Sequence, residues 1–507
     1  MDEYYSISEQ DIHAFANFPM IRTPDGGRAK VTNPDLWLAS KINSTLKKGF
    51  ASDVYWEKAE KSPESQQKFV EGVRNHSWNR QHMGAMVVAN VDVELKVSSL
   101  VSSAVTLGKF YKIQQQTRRS VLLDEVASIP SLTNNPDVKS SFDERFKWYR
   151  SIVDPRKNTI KGFDRYVQDS FKILPLSTMT KIIGNWDLRT VKGYSRWRNM
   201  DYLPSSIRDF SSHLSKSVEG EYPIFFKSYL FDEREVSGND KLILKMAERI
   251  GSNDIMDEPM LWYKDHSFLL PKNHYYEQVH ETYDLDHRFK TDSPDGMLLS
   301  TYNPFNLKLE DLLKIFKEKT EEQKSPLEMT MLTFVSRLDL SGAIDTWRHT
   351  RNNRIVQSIY HALENPTIAV PELLRRREDT EAKDEFLRLS WDAIDLYKQL
   401  VKEGIPREEA INVLPHSLML SQIETMDLFS FLNLVGLRTC THARPEVQVW
   451  AKSLLRSLGE SKDFSGIHQV LGENILAHAL MKGYCGELGG CRACGKDIVY
   501  LPDPFVQ

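Results

Sequence analysis

Arg348, His349 and Thr350 stand together at the end of an apolar run, with Gln357 and Ser358 close behind, and Asn433 and Arg438 form a second polar pair further along. Taken alone, a guanidinium, an imidazole and hydroxyls in that order place cationic and polar groups at the end of a buried helix. The same residues also describe a solvated helix end, Arg438 a cation favoured by a helix C-terminus, and Ser358 a simple cap. Cys485, Cys491 and Cys494 crowd into ten residues near the end of the chain, a spacing that suits soft tetrahedral metal such as zinc, with Cys440 or His442 as a fourth ligand. A structural role without metal is equally open for this cluster. Glu321-Glu322 and Arg375-Arg376-Arg377 are charge runs of the kind that solvated faces carry. The aromatics and histidines at 262–266 and 274–276 read as local core and surface.

The elements that must position these groups are legible from spacing. Phe386, Leu389, Ala393, Ile394, Tyr397, Leu400 and Val401 mark one face of a helix that Gly404 and Pro406 close, and Val447, Trp450, Ala451, Leu454, Leu455 and Leu458 mark another. Phe334, Leu338, Ile344 and Trp347 predict a third helix leading into Arg348-His349, preceded by a buried strand over 329–335. Alternating strands and long helices give an α+β class.

The chain also repeats itself. A shift of 240 residues lays 174–218 on 414–458 without a gap, and ten of 45 positions coincide, with Leu174-Pro175-x-Ser177-x-Met179 over Leu414-Pro415-x-Ser417-x-Met419 as the best stretch. Asp187-Leu188 falls on Asp427-Leu428, Arg198 on Arg438 and Leu214 on Leu454. Upstream, 142–152 resembles the helical run from Phe386, and 155–169 reads as an insertion. Pro223, Gly220 and a charge run place a boundary near 220, giving a first unit 1–220, a second 221–465 and a Cys/Gly-rich tail 466–507.

The chain has 507 residues, 40% hydrophobic and 27% charged, which excludes a disordered or rod-like protein. With 66 basic against 70 acidic residues the net charge is -4, too balanced for a polymeric nucleic acid or an acidic membrane as main partner. The acidic start, Met-Asp-Glu-Tyr-Tyr, lacks the pattern of a targeting segment, no apolar run reaches a membrane span, and four cysteines so placed are not a secreted disulfide scaffold. A cytoplasmic location is expected.

The order Ser325-Pro326-Leu327-Glu328, Leu332-Thr333-Phe334, Arg348-His349-x(8)-Ser358 resembles the flavin-dependent thymidylate synthases, which carry Ser/Thr-Pro-Phe/Leu-Glu-His before a strand, then Arg-His-Arg, seven residues and Ser. The resemblance continues through Pro406-Arg407-Glu408-x-Ala410, Val413-Leu414-Pro415, Asn433-x-x-x-Leu437-Arg438 and His442-Ala443-x-x-Glu446-Val447. It covers roughly 221–465, and the first copy only degenerately. Longer members with two such units exist, and this chain is similar to those: two tandem copies of an α+β fold, the first degenerate.

The resemblance implies a reductive methylation of dUMP to dTMP using FAD, methylenetetrahydrofolate and NADPH. Ser325, Arg348, His349, Thr350 and Asn433 would then hold the flavin, and Gln357, Ser358 and Arg438 the nucleotide, with Arg438 and Ser358 as the catalytic pair. No cysteine nucleophile is required, and Cys440 has no recognisable base beside it. Thr350, Val356, Tyr360 and Ile411 depart from the family at positions where it has charged groups, and Arg351 and Arg354 lie nearby as replacement charge. The alternatives are a flavoenzyme acting on another pyrimidine nucleotide and a non-catalytic nucleotide-binding homologue. Phe110 to Gln114 and Tyr202-Leu203 stand roughly where the second copy has Arg348-His349 and His442-Ala443. The first unit is therefore expected to be a scaffold in a homodimer that mimics the family tetramer.

Overall fold

The structure, a computed structural model, describes residues 21–22, 28–31, 90–106, 111–115, 123–153, 170–221, 267–269, 274–285, 289, 293–318, 324–347, 352–376, 380–439, 443–467, 484–485 and 499–500. These form a mixed α+β protein with antiparallel sheets, divided into two compact units. The first draws on 1–117, 123–135 and 177–265, and the second on 118–122, 136–176 and 266–507.

In the first unit, strands β1 (Ile21–Arg22), β2 (Arg28–Val31), β3 (Asn90–Ser98), β4 (Tyr111–Gln115) and β5 (Met179–Asp187) pair antiparallel in the order β1-β2-β3-β5-β4. Val91, Val93, Leu95 and Val97 of β3 are buried while Glu94 points outward, the two-residue period of a strand with one covered face. The helix Ser205–Glu221 buries Ile207, Phe210, Leu214 and Val218, and Trp186 meets Tyr194 edge-on at 5.1 Å.

The second unit builds its sheet from β6 (Asp295–Tyr302), β7 (Met331–Asp339), β8 (Asn353–Val356) and β9 (Met419–Asp427), antiparallel in the order β6-β7-β9-β8. The helix begins only at Leu340, so Phe334 and Leu338 lie on β7 and not on the helix expected from their spacing. A spacing of four satisfies one face of a helix and one face of a strand alike. Helix Thr380–Lys402 forms as its stripe predicts and ends at Gly404, whose φ of 91° is the left-handed turn that glycine adopts without strain.

Both faces of this second sheet are covered. Phe334 stacks on Phe431 of helix Leu428–Arg438 at 5.0 Å, and helix Pro445–Gly459 lies against β6 so closely that a Cβ on Gly296 would collide with the Leu454 side chain. On the other face Tyr276, from helix His274–Tyr283, packs with Leu285, Phe289, Val335 and Ile423.

Residues 136–176 belong to this unit although they precede β5. Helix Pro136–Val153 lies along helix Thr380–Lys402, with Trp148 5.6 Å from Phe386. The two Leu-Pro segments that the repeat aligned meet each other: Leu176 N–H donates to the Leu414 carbonyl at 3.0 Å, and His416 N–H to the Leu174 carbonyl at 3.4 Å. The fully buried Arg145 donates to both turns, from Nε to the Ile173 carbonyl and from Nη1 to that of Val413, and burial pulls its guanidinium down to about 9.

The two sheets share further details. β5 and β9 are nine residues each and 240 apart, and β3 and β7 nine each and 241 apart. Ser98 lies opposite Met179 as Asp339 lies opposite Met419. Asp187 and Asp427 each cap the following helix, accepting from Thr190 N–H at 2.7 Å and Ser430 N–H at 2.6 Å. Among the described residues, no helix is long and apolar enough to cross a membrane.

Candidate active site

The site is organised around helix Leu340–Trp347, which delivers the chain into residues 348–350. Asp339 caps its start, accepting from Gly342 N–H at 3.0 Å and from the Ser341 hydroxyl. Its C-terminal carbonyls, the negative end of the helix dipole, are met by two guanidinium groups. Arg438 Nη2 donates to the Asp345 carbonyl at 2.7 Å, and Arg354 donates to the Thr346 carbonyl at 2.7 Å and that of Trp347 at 3.2 Å. Two guanidinium groups thus satisfy the carbonyls of Asp345, Thr346 and Trp347.

Arg438 is the last residue of helix Leu428–Arg438 and stays partly exposed, with Asn433 exposed on the same helix. Ser325 is exposed on the short helix Lys324–Met329. Thr330, just after it, takes the Leu428 N–H at 2.8 Å, so the Ser-Pro-Leu-Glu segment is fixed against the start of that helix. Arg348, His349, Thr350, Cys440, His442, Cys491 and Cys494 lie outside the described residues, and of Cys485 only the backbone is described, paired with Tyr500. Among the described residues, no group of three or more metal-ligating side chains occurs.

Gln357 and Ser358 follow edge strand β8. Gln357 extends the ladder to β9, its N–H donating to the Ser421 carbonyl at 2.8 Å and its side-chain oxygen accepting from Ser421 N–H at 3.0 Å. Ser358 is buried and caps the short helix Ile359–Ala362, its Oγ accepting from Tyr360 N–H at 3.2 Å. Beside them a small polar cleft is lined by Arg337, Gln357, His361, Asn365 and Ser421.

Of the departures from the family named above, Val356, Tyr360 and Ile411 are buried, and Thr350 lies outside the described residues. Val356 and Ile411 are core residues. Burial, and then the Glu408 carboxylate, push the Tyr360 phenol up, and the Arg407 guanidinium stacks 4.7 Å over its ring. Arg354 is not replacement charge: it is buried and ion-paired to the buried Glu424.

Three charged residues given no role in the sequence reading complete the arrangement. Arg444 donates to Asp345 Oδ2 at 2.8 Å, to the Ser341 hydroxyl at 2.9 Å and to the Ser341 carbonyl. Glu446, in the first turn of helix Pro445–Gly459, accepts from Lys172 Nζ at 2.8 Å and from Glu372 N–H at 3.0 Å. Lys172 also reaches Asp339 at 3.3 Å. Burial by itself raises the Glu446 carboxyl, but Lys172, the Glu372 amide and Arg444 together bring it down to about 2. Nothing local in the sequence marks Lys172, because its partner Asp339 lies 167 residues further along the chain.

The chain is 26% identical over 121 residues to a flavin-dependent thymidylate synthase of Pyrococcus furiosus, covering 24% of this chain and 48% of that protein. It is 25% identical over 145 residues to one of Thermococcus onnurineus, covering 28% and 58%, and 24% identical over 161 residues to one of Thermosipho melanesiensis, covering 29% and 70%. The chain spans about half the length of the curated relatives it matches first. Residues 304–461, which hold helix Leu340–Trp347 and both of its capping arginines, match the family described as "Thymidylate synthase complementing protein", Thy1.

Proposed function

We propose that the second unit catalyses the FAD-dependent reductive methylation of dUMP to dTMP, with methylenetetrahydrofolate as carbon donor and NADPH as reductant. The observation that carries this reading is the docking of Arg438 on the end of helix Leu340–Trp347, inside the Thy1 match, where the chain runs into Arg348-His349. The partly exposed guanidinium of Arg438, with the exposed Asn433 amide on the same helix, suits an anionic ligand, while the buried Arg354 is neutralised by Glu424 and holds the helix end in place. Arg348, His349 and Thr350 would hold the flavin with Ser325 and Asn433. Arg438 would polarise a pyrimidine carbonyl of the nucleotide, with Gln357 and Ser358 framing it. The flavin, when bound, supplies the relay of the methylene and the hydride.

A second reading is a flavoenzyme of the same fold acting on another pyrimidine nucleotide. The burial of Val356, Tyr360 and Ile411, and the use of Arg354 by Glu424, favour it. Purified full-length protein should be yellow, and tritium release from labelled dUMP separates the two readings: release supports the first, and a yellow protein without release supports the second.

By the sequence repeat, 1–220 reads as a degenerate copy of 221–465, a division that differs from the two compact units because 136–176 packs in the second, and 466–507 reads as a tail in which Cys485, Cys491 and Cys494 would hold zinc. The shared strand registers and the reciprocal Leu-Pro pairing support duplication. Counted from the ends of helices Ser99–Thr106 and Leu340–Trp347, the first copy has Leu107-Gly108-Lys109 where the second has Arg348-His349-Thr350, in place of the rough match to Phe110 to Gln114. A homodimer holding two FAD is the proposed assembly, its mass and flavin content measurable by light scattering and absorbance.

A further inference from the structure

Lys172, Asp339 and Glu446 form a buried ion triad with side chains 0%, 0% and 2% exposed. It continues through touching groups to the surface of the site. Asp339 accepts from the Ser341 hydroxyl, Ser341 from Arg444, Arg444 donates to Asp345, and the Asp345 carbonyl accepts from Arg438. Three acids, Asp339, Asp345 and Glu446, balance three cations, Lys172, Arg438 and Arg444.

Burying such a set is weak as a device for stability, because the desolvation of each ion offsets the attraction between them. This chain also shows the fold doing without it. At the positions 241 residues before Asp339 and 240 before Glu446 stand Ser98 and Ser206, both buried, and 240 after Lys172 stands Asn412, also buried. Asp345 and Arg444 likewise correspond to Ala104 and Pro204, and of the six charged groups only Arg438 has a charged counterpart, Arg198. The acids and the cation that answers them therefore occur together, around the helix that feeds residues 348–350.

We propose that Lys172 is a positioning residue of the second unit: through Asp339, Glu446 and Arg444 it fixes helix Leu340–Trp347 and the guanidinium of Arg438 in the geometry that meets the nucleotide. The site is thus completed by residues 136–176, which lie outside the Thy1 match. This inference rests on the reading of Arg438 as a nucleotide-side residue.

The test uses the full chain carrying Lys172→Met with Glu446→Gln, which keeps side-chain volume, leaves the set neutral and lets Gln still accept from Glu372 N–H. Melting temperature and FAD content should stay near wild type. kcat/KM for dUMP should fall about 10–100-fold, as small misplacements of a binding group do. Hydrogen exchange should rise over 340–347 and around Arg438 but not over strand 179–187. Unfolding of this charge-balanced variant would make the triad structural and overturn the proposal, as would unchanged exchange at both places. Arg438→Ala serves as the reference. If it leaves dUMP turnover intact, the nucleotide-side reading fails, while the exchange result still decides whether Lys172 positions Arg438. If it weakens dUMP use and the double variant does not, Lys172 has no positioning role.

Discussion

Ile183 and Ile423 are each the fifth residue of a nine-residue strand flanked on both sides, yet Ile183 is 63% exposed and Ile423 9%. The difference is tertiary. In the second unit Tyr276, Leu285 and Phe289 cover that face of the sheet. Ile423→Ala should accordingly cost about 2–4 kcal/mol through lost burial and a residual cavity, whereas Ile183→Ala should stay within about 0.5 kcal/mol. Thermal and denaturant unfolding of the two variants check this.

Arg348→Ala should give folded but largely colourless protein, since one charge-assisted phosphate contact contributes about 1.5–3 kcal/mol. Arg438→Ala should keep its flavin and lose nucleotide binding or turnover. Flavin absorbance and dUMP titration separate the two, and equal loss of FAD in both would place Arg438 on the wrong ligand.

Arg354 and Glu424 form a buried pair, so Arg354→Met should destabilise the second unit by about 3–5 kcal/mol by stranding a buried carboxylate. Arg354→Met with Glu424→Gln should recover much of that loss and keep dUMP affinity. A weakened dUMP affinity in the recovered double variant would show that Arg354 serves the nucleotide after all.

Glu446 has its folded-state carboxyl held at about 2, below the ordinary value of 4.5. A depressed carboxyl contributes stability that is fully present above pH 4.5 and lost as pH falls toward 2. Glu446→Gln should flatten the stability–pH curve across that window in denaturant titrations, and an unchanged slope would remove Glu446 from the acid transition.

Residues 221–507 expressed alone lack Arg145, Trp148 and Lys172, which fill the second unit. The fragment should be poorly soluble and flavin-free. A stable yellow fragment, seen by size-exclusion chromatography and absorbance, would show that 136–176 is dispensable.

The sequence by itself determined the α+β class, the helices at 380–402 and 445–459, and the ordered motifs over 304–461, because those features rest on local periodicity and on residue types at fixed spacing. It left the start of helix Leu340–Trp347 ambiguous, since Phe334 and Leu338 satisfy a strand as well as a helix. It also left Ser358 open between site and cap, and the structure shows it capping Ile359–Ala362. Only the tertiary structure decided that Arg354 belongs to Glu424, that Ile183 is exposed where Ile423 is covered, and that Lys172 answers Asp339 and Glu446. These relationships join residues 70 to 274 positions apart, and local spacing carries no information about a partner brought in by the packing of another segment.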